Sequence, residues 1–218
     1  MKKRTVLCFG DSNTHGTMAM ANAMDFGRFG PDVRWPGKLA AALGAQWHVI
    51  EEGLPSRTTV HDDPVEGAHK NGLAILPALL ESHFPIDLVI VMLGSNDLKT
   101  RYGVPAGDIA FSLQRLIDCI SNSHAGPNQS APKILIVAPA PIQEVGFLAG
   151  MFAGGAEKSR KLARYFQAVA KRNGVAFFDA GSVGEVDPVD GLHLTAEAHG
   201  AIGEAIATTI TEIMGPDK

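Results

Sequence analysis

Five short apolar runs punctuate the chain, at residues 5–9, 47–51, 87–93, 133–138 and 175–179, and each predicts a β-strand. The second carries the weakest strand signal. Between them, apolar residues recur with the three- and four-residue spacing of amphipathic helices over 35–43, 73–83, 109–121 and 157–173, and again over 195–214 after the last strand. Thr195 can cap the final helix, and Pro77 is expected near a first turn or at a kink.

The three middle runs are apolar on consecutive residues rather than on alternate ones, which is the signature of strands covered on both faces. Strands alternating with helices then predict an α/β fold with a parallel, doubly wound sheet. Right-handed crossovers leave few topologies, and the expected one is a three-layer, flavodoxin-like sandwich with a five-stranded parallel sheet in the order 2-1-3-4-5. A length of 218 residues fits one domain spanning 1–218, without repeat, linker or low-complexity tract. Two long loops, 16–30 and 139–155, interrupt the pattern. Loops of that length in compact domains usually carry function.

Polar residues collect at one edge of this sheet. Ser12 follows strand one, Gly53 strand two, Gly94-Ser95-Asn96-Asp97 strand three, and Asp190 with His193 strand five, so all lie past strand carboxyl ends. That edge is where open α/β sheets bind ligands, and it brings together segments nearly 180 residues apart. A serine hydroxyl is a weak nucleophile unless a neighbouring base takes its proton and a third group orients that base. Ser12, His193 and Asp190 supply such a set.

Composition narrows the partners. The chain is 45% hydrophobic and 19% charged, with a formal net charge of −4, so no basic field exists to hold a polyphosphate and nucleic acid is not expected. Cys8 and Cys119 fall in a predicted strand and a predicted helix and read as small apolar residues rather than a disulfide or metal pair. Met1-Lys2-Lys3-Arg4 with the apolar run 5–9 imitates a secretion leader, but the run is too short and Gly10-Asp11-Ser12 follows at once. No stretch approaches the ~18–20 apolar residues of a membrane span. A cytoplasmic location without membrane contact is expected.

His61-Asp62-Asp63 with Glu66 and His69 matches no familiar ligand spacing, so these carboxylates are expected to be solvated and no metal is expected. His15, His48, His83, His124 and His199 have no partner recognisable in sequence and read as surface or structural. No G-x-S-x-G elbow, dinucleotide fingerprint or phosphate-loop lysine is present.

The chain resembles the SGNH (GDSL) hydrolase family, whose four marker residues match Ser12 in Phe9-Gly10-Asp11-Ser12-Asn13-Thr14, Gly53, Asn96 in Gly94-Ser95-Asn96-Asp97, and His193 in Asp190-Gly191-Leu192-His193. Asp32-Val33-Arg34-Trp35, Glu51-Glu52-Gly53-Leu54, Arg57-Thr58-Thr59, Asp62-Asp63-Pro64 and Phe178-Asp179-Ala180-Gly181-Ser182 look like its bacterial arylesterase and acyltransferase branch. The resemblance implies a cofactor-independent serine esterase acting on small short-chain acyl esters, aryl esters and acetylated carbohydrates included. Ser12 would attack, His193 would shuttle the proton and Asp190 would orient the imidazole, while the N–H groups of Ser12 and Gly53 and the Asn96 amide would hold the oxyanion.

The same resemblance implies a homo-oligomer. Phe147, Leu148, Met151 and Phe152 in the 139–155 loop would wall an acyl pocket or else pack locally or against another subunit. The polar Asn13, His15 and Thr17 depart from the apolar set of the acyltransferases, which favours acetylated sugars or water as acceptor. Two other readings stand beside the esterase: an acyltransferase passing the acyl group to an alcohol, and a flavodoxin-like binding module without catalysis.

Overall fold

The computed structural model describes residues 3–215. Met1 and Lys2, part of the basic start discussed above, and the last three positions of the expected domain lie outside the described residues. Strands β1 (Arg4–Gly10), β2 (Trp47–Gly53), β3 (Leu88–Met92), β4 (Lys133–Ala138) and β5 (Ala176–Asp179) form one sheet in the order β2-β1-β3-β4-β5, every pairing parallel. This is the order the alternating pattern predicts. Among the described residues six α-helices accompany it: α1 (Ser12–His15), α2 (Trp35–Leu43), α3 (Gly72–Ser82), α4 (Ala106–Ser121), α5 (Gly155–Asn173) and α6 (Ala196–Met214).

Alternation along each strand sorts side chains into two cores. Leu7, Phe9, Val89, Val91, Ile134 and Ile136 pack with residues of α3, α4 and α5, whereas Val6, Cys8, Leu88, Ile90, Leu135 and Val137 pack with Trp35 and Leu39 of α2 and with α6. Both faces of the central strands are thus covered, and every residue of β3 is buried, which is why its sequence reads as an unbroken apolar run. Burying a Leu, Val or Ile side chain contributes about 1.5–3 kcal/mol, so the two cores dominate folding. Strand β2 lies at the sheet edge and is only half-buried, which accounts for its weaker apolar signal.

Helix ends shift by a few residues from their expected positions. Helix α4 starts at Ala106 rather than 109, and α3 runs from Gly72 with Asn71 accepting the Ala74 N–H as its cap. Pro77 sits inside α3 and not in its first turn, so the Leu73 carbonyl loses its intrahelical donor there. Thr195 caps α6 by accepting the Ala198 N–H at 3.1 Å, as expected. Helix α1 has no counterpart in the periodic pattern, because four residues are too few to show a period.

Candidate active site

Helix α1 exists because local chemistry forces the chain to turn directly after β1. Asp11 caps it, its Oδ1 accepting the Asn13 N–H at 3.0 Å, and the Gly16 N–H returns to the Ser12 carbonyl at 2.9 Å. Two glycines make room. A Cβ at Gly10 would lie 1.9 Å from Thr14 Oγ1, and one at Gly53 would lie 2.1 Å from the His15 nitrogen, so α1 can nestle against the ends of β1 and β2 only where side chains are missing. Ser12 therefore becomes the first residue of a short helix, where backbone N–H groups have no intrahelical acceptor.

His193 and Asp190 are buried and joined. The His193 Nδ1 lies 2.6 Å from Asp190 Oδ2, while Asp190 Oδ1 accepts the N–H groups of Leu192 at 2.9 Å and His193 at 3.0 Å. Burial works to raise the Asp190 pKa, but the His193 ring, its charge and these N–H groups outweigh it and hold the carboxyl below its ordinary value. A carboxylate only accepts hydrogen bonds, so Nδ1 carries the proton and Nε2 keeps a lone pair available as a base. Asp190 Oδ2 also accepts the Met20 N–H at 2.8 Å, which ties the 16–30 loop to the acid.

Asn13, next in chain to Ser12, spans the gap to the histidine segment. Its Nδ2 donates to the Leu192 carbonyl at 3.1 Å and its Oδ1 accepts the Leu194 N–H at 2.9 Å, so one buried amide holds the backbone on both sides of His193. The sequence pattern marks Asn13 only as a polar departure. Its position beside Ser12 was the one available signal.

Asn96 reaches the same place from the loop after β3. Its Nδ2 donates to the Arg57 carbonyl at 3.2 Å and lies 3.4 Å from Asp11 Oδ2. Burial pushes the Asp11 carboxyl up to about 6, against the pull of the Asn13 N–H and the His193 charge. Arg57 is buried as well, donating to the carbonyls of Gly10 and Glu52 with its guanidinium 4.4 Å from the Phe9 ring centroid. Burial lowers its pKa to about 10, partly opposed by Glu52 and Asp11, so it stays charged at neutral pH. Asp97 accepts both the N–H and the hydroxyl of Thr59, which fastens the loop after β2 to the loop after β3.

A cavity of about 230 Å³ collects these elements, lined by Ser12, Asn96 and His193 together with Thr17, Met20, Ala23, Pro55, Ser56, Glu66, Lys99 and Leu192. Phe147, Leu148, Met151 and Phe152 line it too, and Leu148 and Phe152 are buried while Phe147 is half-exposed. Gly53 is not among the lining residues. Its bare Cα faces α1, so glycine is required there for helix packing. On that side of the cavity the chain presents Ser56, a non-glycine residue at φ 65°. A more open depression of about 540 Å³ lies at the opposite end of the sheet, between Ser121, Lys133, Gly174 and Ile213, where Lys133 Nζ donates to the Ile213 carbonyl at 2.6 Å.

Other sequence candidates find structural roles. Asp63 is buried rather than solvated, receiving Arg101 Nη1 at 2.8 Å and the Tyr102 hydroxyl at 2.7 Å. Among the described residues no group of three or more His, Cys, Asp or Glu is placed to hold a metal ion. His199 does have a partner, accepting the Trp35 N–H at 3.2 Å across α6 and α2, and burial lowers its pKa to about 4. His83 meets Glu52 at 2.9 Å. Among the described residues no helix is long and apolar enough to cross a membrane.

Comparison with known proteins agrees with this geometry. The chain is similar to an aryl esterase of M. smegmatis, with 42% identity and a TM-score of 0.92 over 96% of this chain and 99% of that one. It is likewise similar to a carbohydrate acetylesterase of Sinorhizobium meliloti, with 41% identity and a TM-score of 0.93 over 97% of this chain and all of that one, 100%. An arylesterase of Vibrio mimicus is 37% identical over 94 residues, a match spanning 42% of this chain and 40% of that protein. The model of the GDSL-like lipase/acylhydrolase family matches residues 8–201, most of the chain. On that match, and with Ser12, Asn96 and the Asp190–His193 pair gathered at one cavity, the chain belongs to the GDSL-like lipase/acylhydrolase family.

Proposed function

We propose that this protein is a serine esterase that hydrolyses short-chain acyl esters, aryl esters and acetylated carbohydrates among them, through an acyl-enzyme on Ser12. The observation that carries the reading is a base with its tautomer set by Asp190, opening into the same cavity as a serine at a helix start. Ser12 Oγ attacks the ester carbonyl as His193 Nε2 takes its proton. The tetrahedral intermediate then collapses, and the imidazolium protonates the departing alkoxide. Water, deprotonated by the same nitrogen, attacks the acyl-enzyme and releases the acid.

Charge on the oxyanion develops only in the transition state, so its donors must be in place beforehand. The Ser12 N–H and the Asn96 amide both border the cavity and suit this role. The Gly53 N–H, a third donor on the family resemblance, comes from the end of β2 beside α1, and the missing Cβ lets Ser12's helix seat against it. Asn96→Ala is expected to lower kcat by about 10²- to 10³-fold with KM little changed. A pure KM effect in steady-state assays would make Asn96 a ground-state binding residue.

Cavity size supports a short acyl chain. A volume near 230 Å³ is below the ~300–1,000 Å³ of drug-sized ligand sites, and Phe152 and Leu148 close its apolar wall. A p-nitrophenyl ester series from acetate to octanoate is expected to peak at acetate or butyrate and fall steeply beyond. Equal rates along the series would remove the size argument. That apolar wall also favours the acyltransferase as the second reading, because water is the poorer competitor at a desolvated acyl-enzyme. The proposal includes a cytoplasmic homo-oligomer: Met24 and Phe26 stand exposed on the 16–30 loop whose Met20 and Ala23 line the cavity, and a second subunit would cover them.

A further inference from the structure

The cavity wall is interrupted at one place by an ion pair. Lys99 is 2% exposed, its Nζ donating to Glu66 Oε1 at 2.7 Å and to Asp63 Oδ2 at 3.4 Å. Glu66 and Lys99 both line the cavity, as does Ser56. Behind them Asp63 accepts the N–H groups of Val65 at 2.9 Å and Glu66 at 3.0 Å as well as Arg101 and Tyr102, so the turn that presents Glu66 is rigidly anchored.

Such a pair is an expensive way to build a wall. Lys99 is out of water while 33% of the Glu66 side chain stays exposed; burying the ammonium alone costs several kcal/mol, and an apolar residue of similar volume packs as well or better. What apolar residues lack is hydrogen-bonding capacity. Lys99 has three ammonium protons, and Glu66 and Asp63 take two of them. The Glu66 carboxylate has about four acceptor sites, and Lys99 occupies only part of them.

The charges balance locally, with Asp63 and Glu66 against Lys99 and Arg101, so the place attracts neither anions nor cations. A neutral group that donates and accepts at once fits it, and a hydroxyl is that group. A vicinal diol can engage both residues together, whereas an unsubstituted aryl ring offers neither a donor nor an acceptor. We infer that Glu66 and Lys99, with Ser56, form a hydroxyl-binding subsite that selects acetyl esters of polyols, partly acetylated sugars in particular, over aryl esters. The inference rests on the proposed esterase reading for the place of the reacting ester, but not for the binding of the hydroxyls.

Binding and turnover test it separately. In the Ser12→Ala protein, methyl 6-O-acetyl-glucoside is titrated by NMR with and without Glu66→Gln, a change that keeps size and removes the charge. Glu66→Gln is expected to raise Kd tenfold or more, since sites built to pair a substrate hydroxyl discriminate strongly once that pairing is lost. Fully acetylated methyl glucoside, which has no free hydroxyl, is expected to bind both proteins equally weakly. In the otherwise unmodified enzyme, Glu66→Gln is expected to lower the ratio of kcat/KM for the 6-O-acetyl glucoside to that for p-nitrophenyl acetate by at least tenfold, mainly through KM.

A ratio and a Kd unchanged within twofold in a folded Glu66→Gln protein would overturn the subsite, as would absence of glycoside binding to Ser12→Ala. Equal loss on both substrates would also overturn it, because it would make Glu66 a structural strut. Lys99→Met leaves Asp63 short of a cation and tests folding as much as recognition, so Glu66→Gln is the deciding variant. Failure of the esterase reading gives a different result: no turnover and no labelling of Ser12 in wild type, with glycoside binding still sensitive to Glu66.

Discussion

Ser12→Ala abolishes covalent labelling by a serine-directed phosphonate and reduces ester turnover by a factor on the order of 10⁶, the scale on which a serine protease loses kcat when its nucleophile is removed. The reason is local. Ser12 shares the cavity with His193 at the start of α1, Asp190 holds that imidazole, and Asn13 holds the backbone on both sides of it. Ser56 also lines the cavity, but it lies on the loop after β2 rather than at the start of a helix. Removing one oxygen from Ser12 leaves the Asp11 cap and the α1 backbone intact, so thermal unfolding is expected to stay within a degree or two of wild type. Intact-mass spectrometry reads the result directly: one phosphonyl adduct on wild type and none on the variant. An adduct on Ser12→Ala would place the nucleophile elsewhere.

Asp190→Asn lowers kcat by up to about 10⁴-fold, the loss seen when the corresponding acid of a serine protease becomes an amide. In the wild type Asp190 Oδ2 accepts from His193 Nδ1, which leaves Nε2 unprotonated. An amide nitrogen in that position donates instead, so the ring is driven to the opposite tautomer, with its proton on the nitrogen that should act as base. The Asp190 Oδ1 bonds to the Leu192 and His193 N–H groups survive if the asparagine oxygen takes that side. The Met20 N–H then faces an NH₂ group, and the 16–30 loop loosens at the cavity. Both kcat and KM are therefore expected to change, with kcat changing far more. A variant with wild-type kcat would mean that another acid orients His193.

Much of this was legible because it is written in local periodicity and in punctuation. Short continuous apolar runs between amphipathic helices fit strands covered on both sides, and that alternation leaves the order 2-1-3-4-5 among few alternatives. Ser12, Asn96, Asp190 and His193 stood out because each follows a strand, and strand carboxyl ends share one edge of a parallel sheet whatever their separation in sequence. Phe147, Leu148, Met151 and Phe152 were placed near the cavity by the same logic, since their loop follows β4.

What the sequence by itself determined, then, is the sheet, its helices and which residues reach its carboxyl edge. The rest was decided by close packing at that edge. Helix α1 is too short to have a period and exists through a cap and two absent side chains, so the packing role of Gly53 as the seat of α1 has no signal in the periodic pattern. Asn13 clamps the histidine segment only because residues separated by 181 positions come within hydrogen-bonding distance. The carboxylates of Asp63 and Glu66 read as solvated in sequence; Glu66 does stay partly exposed, and only the folding of two loops buries Asp63 and Lys99 and pairs Lys99 with both acids. Periodicity records which face of an element is dry, whereas the partner of a buried polar group is set by distances that exist only once the whole chain has folded.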